Sequence, residues 1–391
     1  MFLIALAIIV TIAYFINTKL KKQKNIQIST QRFVSHTKDY SYCFILWSII
    51  AIGSTLIIST SIAIKIILTI AILLINYHFI NYLFRKKFNA KKHFEGFQIF
   101  VLSLTAGIGV VITLAITLSI IFETLEFFKQ VSPKEFFLTT KWNPQMAITD
   151  DQELSQSAYG VIPIFTGTLL ITIIAMIVAV PVGIMSAIYL SMYAKSKTRD
   201  YLKPILEILA GIPTVVYGYF AVTIISPFFK DFFTLAGFQI SPESALSAGF
   251  VMGVMIIPFI LSLTDDAINS VPQSLKDGAL ALGSTKSEMI TKVVLITAMP
   301  NIIGAFILAF SRAIGETMIV VMSAGLIANL TFNPLDSVTT ATAQIVSLLV
   351  GDQEFNSPKT LSAFAIALTL FIFTFILNTL ALIIAKKYKN R

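Results

Sequence analysis

Nine stretches of this chain are long and apolar enough to cross a bilayer, and nothing else in the sequence constrains the fold as tightly. A membrane-spanning helix needs about 20 predominantly apolar residues. Segments at roughly 2–18, 42–62, 64–84, 97–123, 164–194, 204–229, 244–264, 299–327 and 359–385 meet that requirement. They lack the residue-by-residue alternation of strands in a spanning β-barrel. The spacing therefore predicts an all-α, polytopic transmembrane helix bundle. Side chains are 56% hydrophobic and only 13% charged, whereas soluble domains carry about 25% charged residues. One soluble core could not bury that excess. A single cysteine, Cys43, argues against a disulfide scaffold, and the apolar content argues against a disordered chain.

The net charge is +9. On a soluble protein it would suggest a nucleic-acid partner, but its distribution gives a different answer. When the connections between segments are assigned alternately to two sides, one side holds 22 Lys and Arg, in 19–41, 85–96, 195–203, 265–298 and 386–391. The other side holds six: Lys65, Lys129, Lys134, Lys141, Lys230 and Lys359. Cytoplasmic loops are enriched in Lys and Arg, so the 22-residue side is read as cytoplasmic, together with the C-terminus. The basic residues then set topology and contact lipid headgroups, and no nucleic acid is expected. In the first segment, Lys19, Lys21, Lys22 and Lys24 follow the apolar stretch, whereas a secretory signal carries its charge in front. That segment reads as an uncleaved anchor with the N-terminus outside.

Residues 97–391 contain all but two of the 18 Gly and all 13 Pro. Small residues let membrane helices approach closely, and Pro breaks or kinks them. This contrast predicts two regions: accessory membrane segments over 1–96 and a working domain over 97–391. Catalytic constellations are absent from the sequence. It has no G-x-x-x-x-G-K-[ST] loop for ATP and no G-x-S-x-G elbow. His36, His78 and His93 are scattered and make no metal-ligand cluster. The chain reads as a non-enzyme without a cofactor.

Two places carry chemistry. The first is the loop at 265–300. After Pro272 a short helix can start near Ser274, with Asp277 in its first turn favouring the helix dipole. Leu275, Ala279 and Leu282 fall on one helical face, and Gly283 supplies a stop. A second helix is expected over Lys286–Ile296, with the next span beginning at Pro300. A small-faced helix in this position can lie in a groove on a soluble partner or rest on lipid.

The second place is Arg312 and Glu316, which fall inside the eighth segment. A charge in the bilayer costs at least about 2.5 kcal/mol on insertion scales and marks a functional site by default. Spaced i, i+4, the two can pair on one helix face. Either they form a structural ion pair, or Arg312, whose donor fork matches oxyanions, serves a translocation path. Glu207, after Pro204, reads as a helix N-terminal dipole partner, and the Gly211–Pro213 and Gly218 stretch is expected to bend the sixth segment.

Asp277-Gly278-Ala279, then Gly283 and Pro300-Asn301-Ile302-Ile303-Gly304, resemble the E-A-A-x-x-x-G loop of ABC importer permeases. Asp replaces Glu at 277 and Gly replaces Ala at 278. In that family the loop docks on the ATPase. Arg312-Ala-Ile-Gly-Glu316-Thr-Met resembles the R-A-[IL]-G-E-T-M signature of PstC-type permeases of the phosphate ABC importer. Supporting matches are Trp142-Asn-Pro144, Tyr159-Gly160-Val-Ile-Pro163, Gly167-Thr168-Leu169 and the run from Glu207 to Gly218. The resemblance covers roughly 97–386 and implies a type I ABC importer permease fold in a bacterial inner membrane. It implies four kinds of partner: phosphate, a PstA-type sister permease, a dimer of PstB-type ATPase subunits and a periplasmic phosphate-binding protein. By carry-over, Arg312 would contact the anion and Glu316 would hold or release the arginine. The alternatives are a permease for sulfate or molybdate, or an ATP-independent anion transporter.

Overall fold

The computed structural model describes residues 90–144, 158–350 and 356–389, together with Ile75, His78, Phe79 and Tyr82. The expected spans at 2–18 and 42–62 lie outside the described residues, as does all of 64–84 except those four. The chain forms two compact units, Met1–Ala115 and Ile116–Arg391. Helix α1 (Ala90–Gln130) begins in the first unit and ends in the second.

In the second unit, α1 leads into the one-turn α2 (Pro133–Leu138) and then a minimal antiparallel hairpin, β1 (Trp142–Asn143) and β2 (Ala158–Tyr159). Trp142 pairs with Tyr159 across it. Helix α3 (Ile162–Ile188) follows, with Pro163 in its first turn, and continues as a π-turn over Tyr189–Tyr193. Next come α4 (Ser196–Ala210), α5 (Thr214–Phe220) and, after a π-turn at Ala221–Ile225, α6 (Ser226–Leu235). Helix α7 (Ala245–Asn269) is capped by the Ser244 hydroxyl, which accepts the Ser247 amide. Helices α8 (Gln273–Ala281), α9 (Lys286–Met289) and α10 (Leu295–Ile314) follow, with a π-turn at Ile290–Val294 joining α9 to α10. The chain ends with α11 (Met318–Ser323), α12 (Ala341–Leu349) and α13 (Pro358–Lys389).

Among the described residues, five helical stretches are long and apolar enough to span a membrane: Phe94–Gln130, Ile162–Tyr193, Ala245–Asn269, Lys286–Ile314 and Pro358–Leu380. The pair Ser196–Ala210 and Thr214–Leu235, bent by 86°, passes the same test together and makes a sixth when it is counted as one span. These correspond to the six segments expected between 97 and 385, with three corrections. The eighth segment, expected to run to 327, ends as a helix at Ile314, because Gly315 closes it. Pro300 does not begin a span but sits inside a helix continuous from Lys286, a placement that membrane helices tolerate. Glu207 is not at a helix start either: α4 begins eleven residues earlier and Glu207 lies in its last turn.

The core is the seam between α3 and α7. Ile171, Ala175, Met252 and Ile256 are fully buried there. A Cβ at Gly249 would stand 2.7 Å from the Ile174 Cβ, and one at Gly253 would stand 2.8 Å from the Ala175 carbonyl oxygen. The two glycines therefore set how closely these helices approach, the small-residue mode of membrane helix packing. A second cluster joins the hairpin to α1, α2 and α13. In it Phe127 meets Phe136 and Tyr159 edge-on at 5.5 and 5.6 Å, and Trp142 meets Tyr159 at 6.1 Å, the favoured aromatic geometry.

Candidate functional site

Arg312 lies in the last turn of α10 and Glu316 just beyond its end. The helix tightens as it ends: Gly315 still donates four residues back to the Ser311 carbonyl, but Glu316 donates only three back, to the Ala313 carbonyl, each at 3.2 Å. The pairing expected from i, i+4 spacing needs an unbroken helix, and here it is not made. No ion pair joins the two residues. Instead the Glu316 carboxylate accepts the Met318 amide at 3.1 Å, closing the start of α11. The Arg312 guanidinium stands over the Phe259 ring of α7, 5.5 Å from its centroid, a cation–π contact. Its side chain is exposed in the isolated chain. A guanidinium oriented by an aromatic face, with no carboxylate paired to it among the described residues, can receive an oxyanion.

The turn carrying Glu316 is held from both sides. From α12, the Thr342 hydroxyl donates to the Glu316 carbonyl at 2.8 Å. Two residues on, the Gln344 amide donates to the Leu326 carbonyl at 3.2 Å and accepts the Trp142 indole N–H at 3.2 Å. Leu326 has φ +54°, a left-handed conformation costing a non-glycine residue about 1 kcal/mol, and the Gln344 bond fixes it. From the other side, α5 lies against α11. A Cβ at Gly218 would come within 2.9 Å of the Met322 sulfur and 3.2 Å of the Met318 carbonyl oxygen. The expected bend occurs at Gly211–Pro213 and is braced by the Tyr217 hydroxyl, which donates across it to the Leu209 carbonyl at 2.9 Å. The Trp-Asn-Pro, Tyr-Gly and Gly-Thr motifs are framework: Trp142 and Tyr159 are core residues, and the Thr168 hydroxyl accepts the Ala341 amide at 3.0 Å.

The predicted loop residues form a separate locus. Helix α8 starts after Pro272, and Gly283 at φ +86° reverses the chain. Asp277 is exposed and accepts from the Gln273 amide at 2.9 Å. Gly278 has open space around its Cα. The Leu275, Ala279 and Leu282 face divides. Ala279 packs onto the cluster of Val271, Ile290 and Val294, while Leu275 and Leu282 point outward, 45% and 91% exposed. Thr285 and Glu288 then form a reciprocal capping box that starts α9.

Sequence reasoning missed the most heavily bonded charge among the described residues. Asp265, near the end of α7, is 1% exposed. Its carboxylate accepts five bonds: two from the Arg199 guanidinium at 3.0 and 3.1 Å, and one each from Lys203 at 2.9 Å, Asn269 at 3.0 Å and the Ser191 hydroxyl. The signal was present: Arg199 and Lys203 are i, i+4 on the same side of the membrane as an aspartate ending an apolar run.

Long apolar helices, one bent helix pair and a short surface helix linking two spans define a class: a multi-pass α-helical membrane protein. Residues 179–390 match the family model described as "Binding-protein-dependent transport system inner membrane component". The chain belongs to that family. It is 34% identical over 278 residues to the "Probable ABC transporter permease protein YqgH" of Bacillus subtilis (strain 168), covering 71% of this chain and 86% of that one. It is 32% identical to the "Phosphate transport system permease protein PstC" of Xylella fastidiosa (strain 9a5c), covering 67% and 82%. Among solved structures, a chain of a bacterial alginate ABC transporter, crystallised with its alginate pentasaccharide-bound periplasmic protein, aligns over 76% of this chain and 97% of its own. The TM-score is 0.52 at 14% identity. The fold is that of type I ABC importer permeases.

Proposed function

We propose that this chain is the PstC-type permease subunit of an ATP-driven inorganic phosphate importer, forming the translocation path with a PstA-type sister permease. Residues 97–391 are the working domain and 1–96 an accessory membrane region. A dimer of PstB-type ATPase subunits binds the cytoplasmic loops of the two permeases, docking on this chain at α8 through the surface that includes Asp277, Gly278, Ala279 and Gly283. A periplasmic phosphate-binding protein delivers phosphate at the outer face. The observation that carries this reading is Arg312, a guanidinium with no carboxylate paired to it among the described residues, on the last turn of a spanning helix and set over Phe259. A phosphate oxygen pair fits its donor fork. Glu316, four residues on, holds or releases the arginine as phosphate arrives and leaves.

The test is phosphate uptake in cells carrying Arg312→Ala or Arg312→Lys, with membrane insertion verified. Loss of a charge-assisted hydrogen bond, about 1.5–3 kcal/mol, corresponds to a roughly 10- to 100-fold loss for Arg312→Ala. Arg312→Lys keeps a point charge but not the fork and should fall between. Normal uptake in Arg312→Ala would sink the site assignment. Competition by sulfate or molybdate that outweighs phosphate would reassign the substrate. Anion flux in ATP-free liposomes containing this chain alone would remove the ATPase from the mechanism.

A further inference from the structure

The buried carboxylate of Asp265 has no part in the anion site, yet five hydrogen bonds converge on it from three elements. Ser191 belongs to the π-turn that ends α3, Arg199 and Lys203 to α4, and Asn269 to the same helix as Asp265. Lys203 also lies 4.0 Å from Asp266. Burying a carboxylate is expensive even when it is paired. An apolar contact would hold α4 against α7 without that cost, so stability alone is a poor account of the cluster. Its position offers another. Four residues after Asp265 α7 ends, and α8 begins four residues later. In the other direction α4 runs from Arg199 and Lys203 to the braced bend at Gly211–Pro213. Beyond the bend, α5 touches Met318 and Met322 of α11 at Gly218, immediately after Glu316. Asp265 is thus the joint between the root of the α8 loop and a braced, bent arm whose far limb meets α11 just after Glu316.

We propose that Asp265 is a positioning residue for coupling: by clasping Arg199 and Lys203 it makes the broken span α4–α5 move with the α8 loop, so that events at the ATPase face reach the Arg312 and Glu316 turn. The inference rests on the permease reading given above. The test therefore reads motion and coupling separately. The importer is assembled from this chain, its sister permease and the ATPase dimer, in a Cys43→Ser background. Spin labels at Tyr219 on α5 and Ile372 on α13, both exposed, report the distance between these elements with and without a non-hydrolysable ATP analogue. The wild-type distance should change on nucleotide binding, whereas in Asp265→Asn the change should be lost although nucleotide still binds. In liposomes, Asp265→Asn and Lys203→Gln should each raise the ATP hydrolysed per phosphate imported at least fivefold, and Lys203→Arg should restore the wild-type ratio. If the nucleotide-dependent change persists in Asp265→Asn, or if uptake and hydrolysis fall together in proportion to assembled complex, the role is overturned. The label arm does not depend on which anion is carried, so a wrong substrate would show in uptake alone. A wild-type chain that assembles with no ATPase would instead overturn the permease reading and this role with it.

Discussion

Glu316 does two separable things at the residue scale. Its carboxylate caps α11 through the Met318 amide, and its charge lies four residues from Arg312. Gln presents the same amide-accepting oxygen without the charge, and Ala presents neither. Losing this hydrogen bond costs about 1 kcal/mol. Glu316→Ala should therefore lower the thermal unfolding temperature of the solubilised protein, while Glu316→Gln leaves it close to wild type. If the charge governs release of Arg312, both variants should lose phosphate uptake. Uptake by Glu316→Gln equal to wild type, with only Glu316→Ala impaired, would reduce the residue to its capping role. The sequence placed both residues inside a span but could not show that they stay apart. Spacing describes an unbroken helix, and the break depends on where Gly315 turns its amide, a matter of tertiary packing against α11 and α12.

At the scale of elements, contacts with backbone set the tolerance to substitution. At Gly218 a methyl would press on the flexible end of Met322 but also on the Met318 carbonyl and the Ile319 Cα, at 3.2 and 3.3 Å. Gly218→Ala should be tolerated with reduced uptake. Gly218→Val, with two further branches, should push α5 off α11 and abolish transport while the chain still inserts, as read by uptake beside immunodetection in membranes. Helix α8 behaves oppositely. Gly278 meets nothing within 4 Å, so Gly278→Ala gains about 1 kcal/mol of helix propensity and should leave co-purification with the ATPase intact. Leu282→Asp, which puts a charge on the most outward leucine of this loop, should reduce it. The boundaries of α8 were legible because Pro272 and Gly283 punctuate them locally. The bend at 211–213 was legible for the same reason. What α5 rests against was not, because Gly218 and Met322 meet across more than a hundred residues of chain. The Asp265 cluster stayed hidden likewise: its partners are 62 and 66 residues away.

At the scale of the whole molecule, the charge asymmetry of the connections predicts which face is which. The 22 Lys and Arg assigned to one side include Lys276 within α8 and Lys286 and Lys292 after it, and cytoplasmic enrichment of Lys and Arg orients spans. The two ends of the bundle also differ in construction. One end carries the hairpin, with its Trp142–Gln344 bond, and the irregular segment 324–340 that contains Leu326. The other carries α8 and the Asp265 cluster. The asymmetry yields a directional prediction independent of substrate. In a Cys43→Ser background, Leu282→Cys on the α8 loop and Phe332→Cys in the segment after α11, 91% and 81% exposed, should label from opposite sides. A membrane-impermeant maleimide should reach position 332 in spheroplasts and position 282 only in inside-out vesicles. Both positions labelling from one side would mean that the chain between them crosses the membrane an even number of times, not once, and the six-span reading of residues 94–380 would fail. Reversed labelling would keep the spans but turn the molecule over. It would place α8 where no ATP is available and remove its role as the ATPase dock, leaving Arg312 on a path that must be driven some other way.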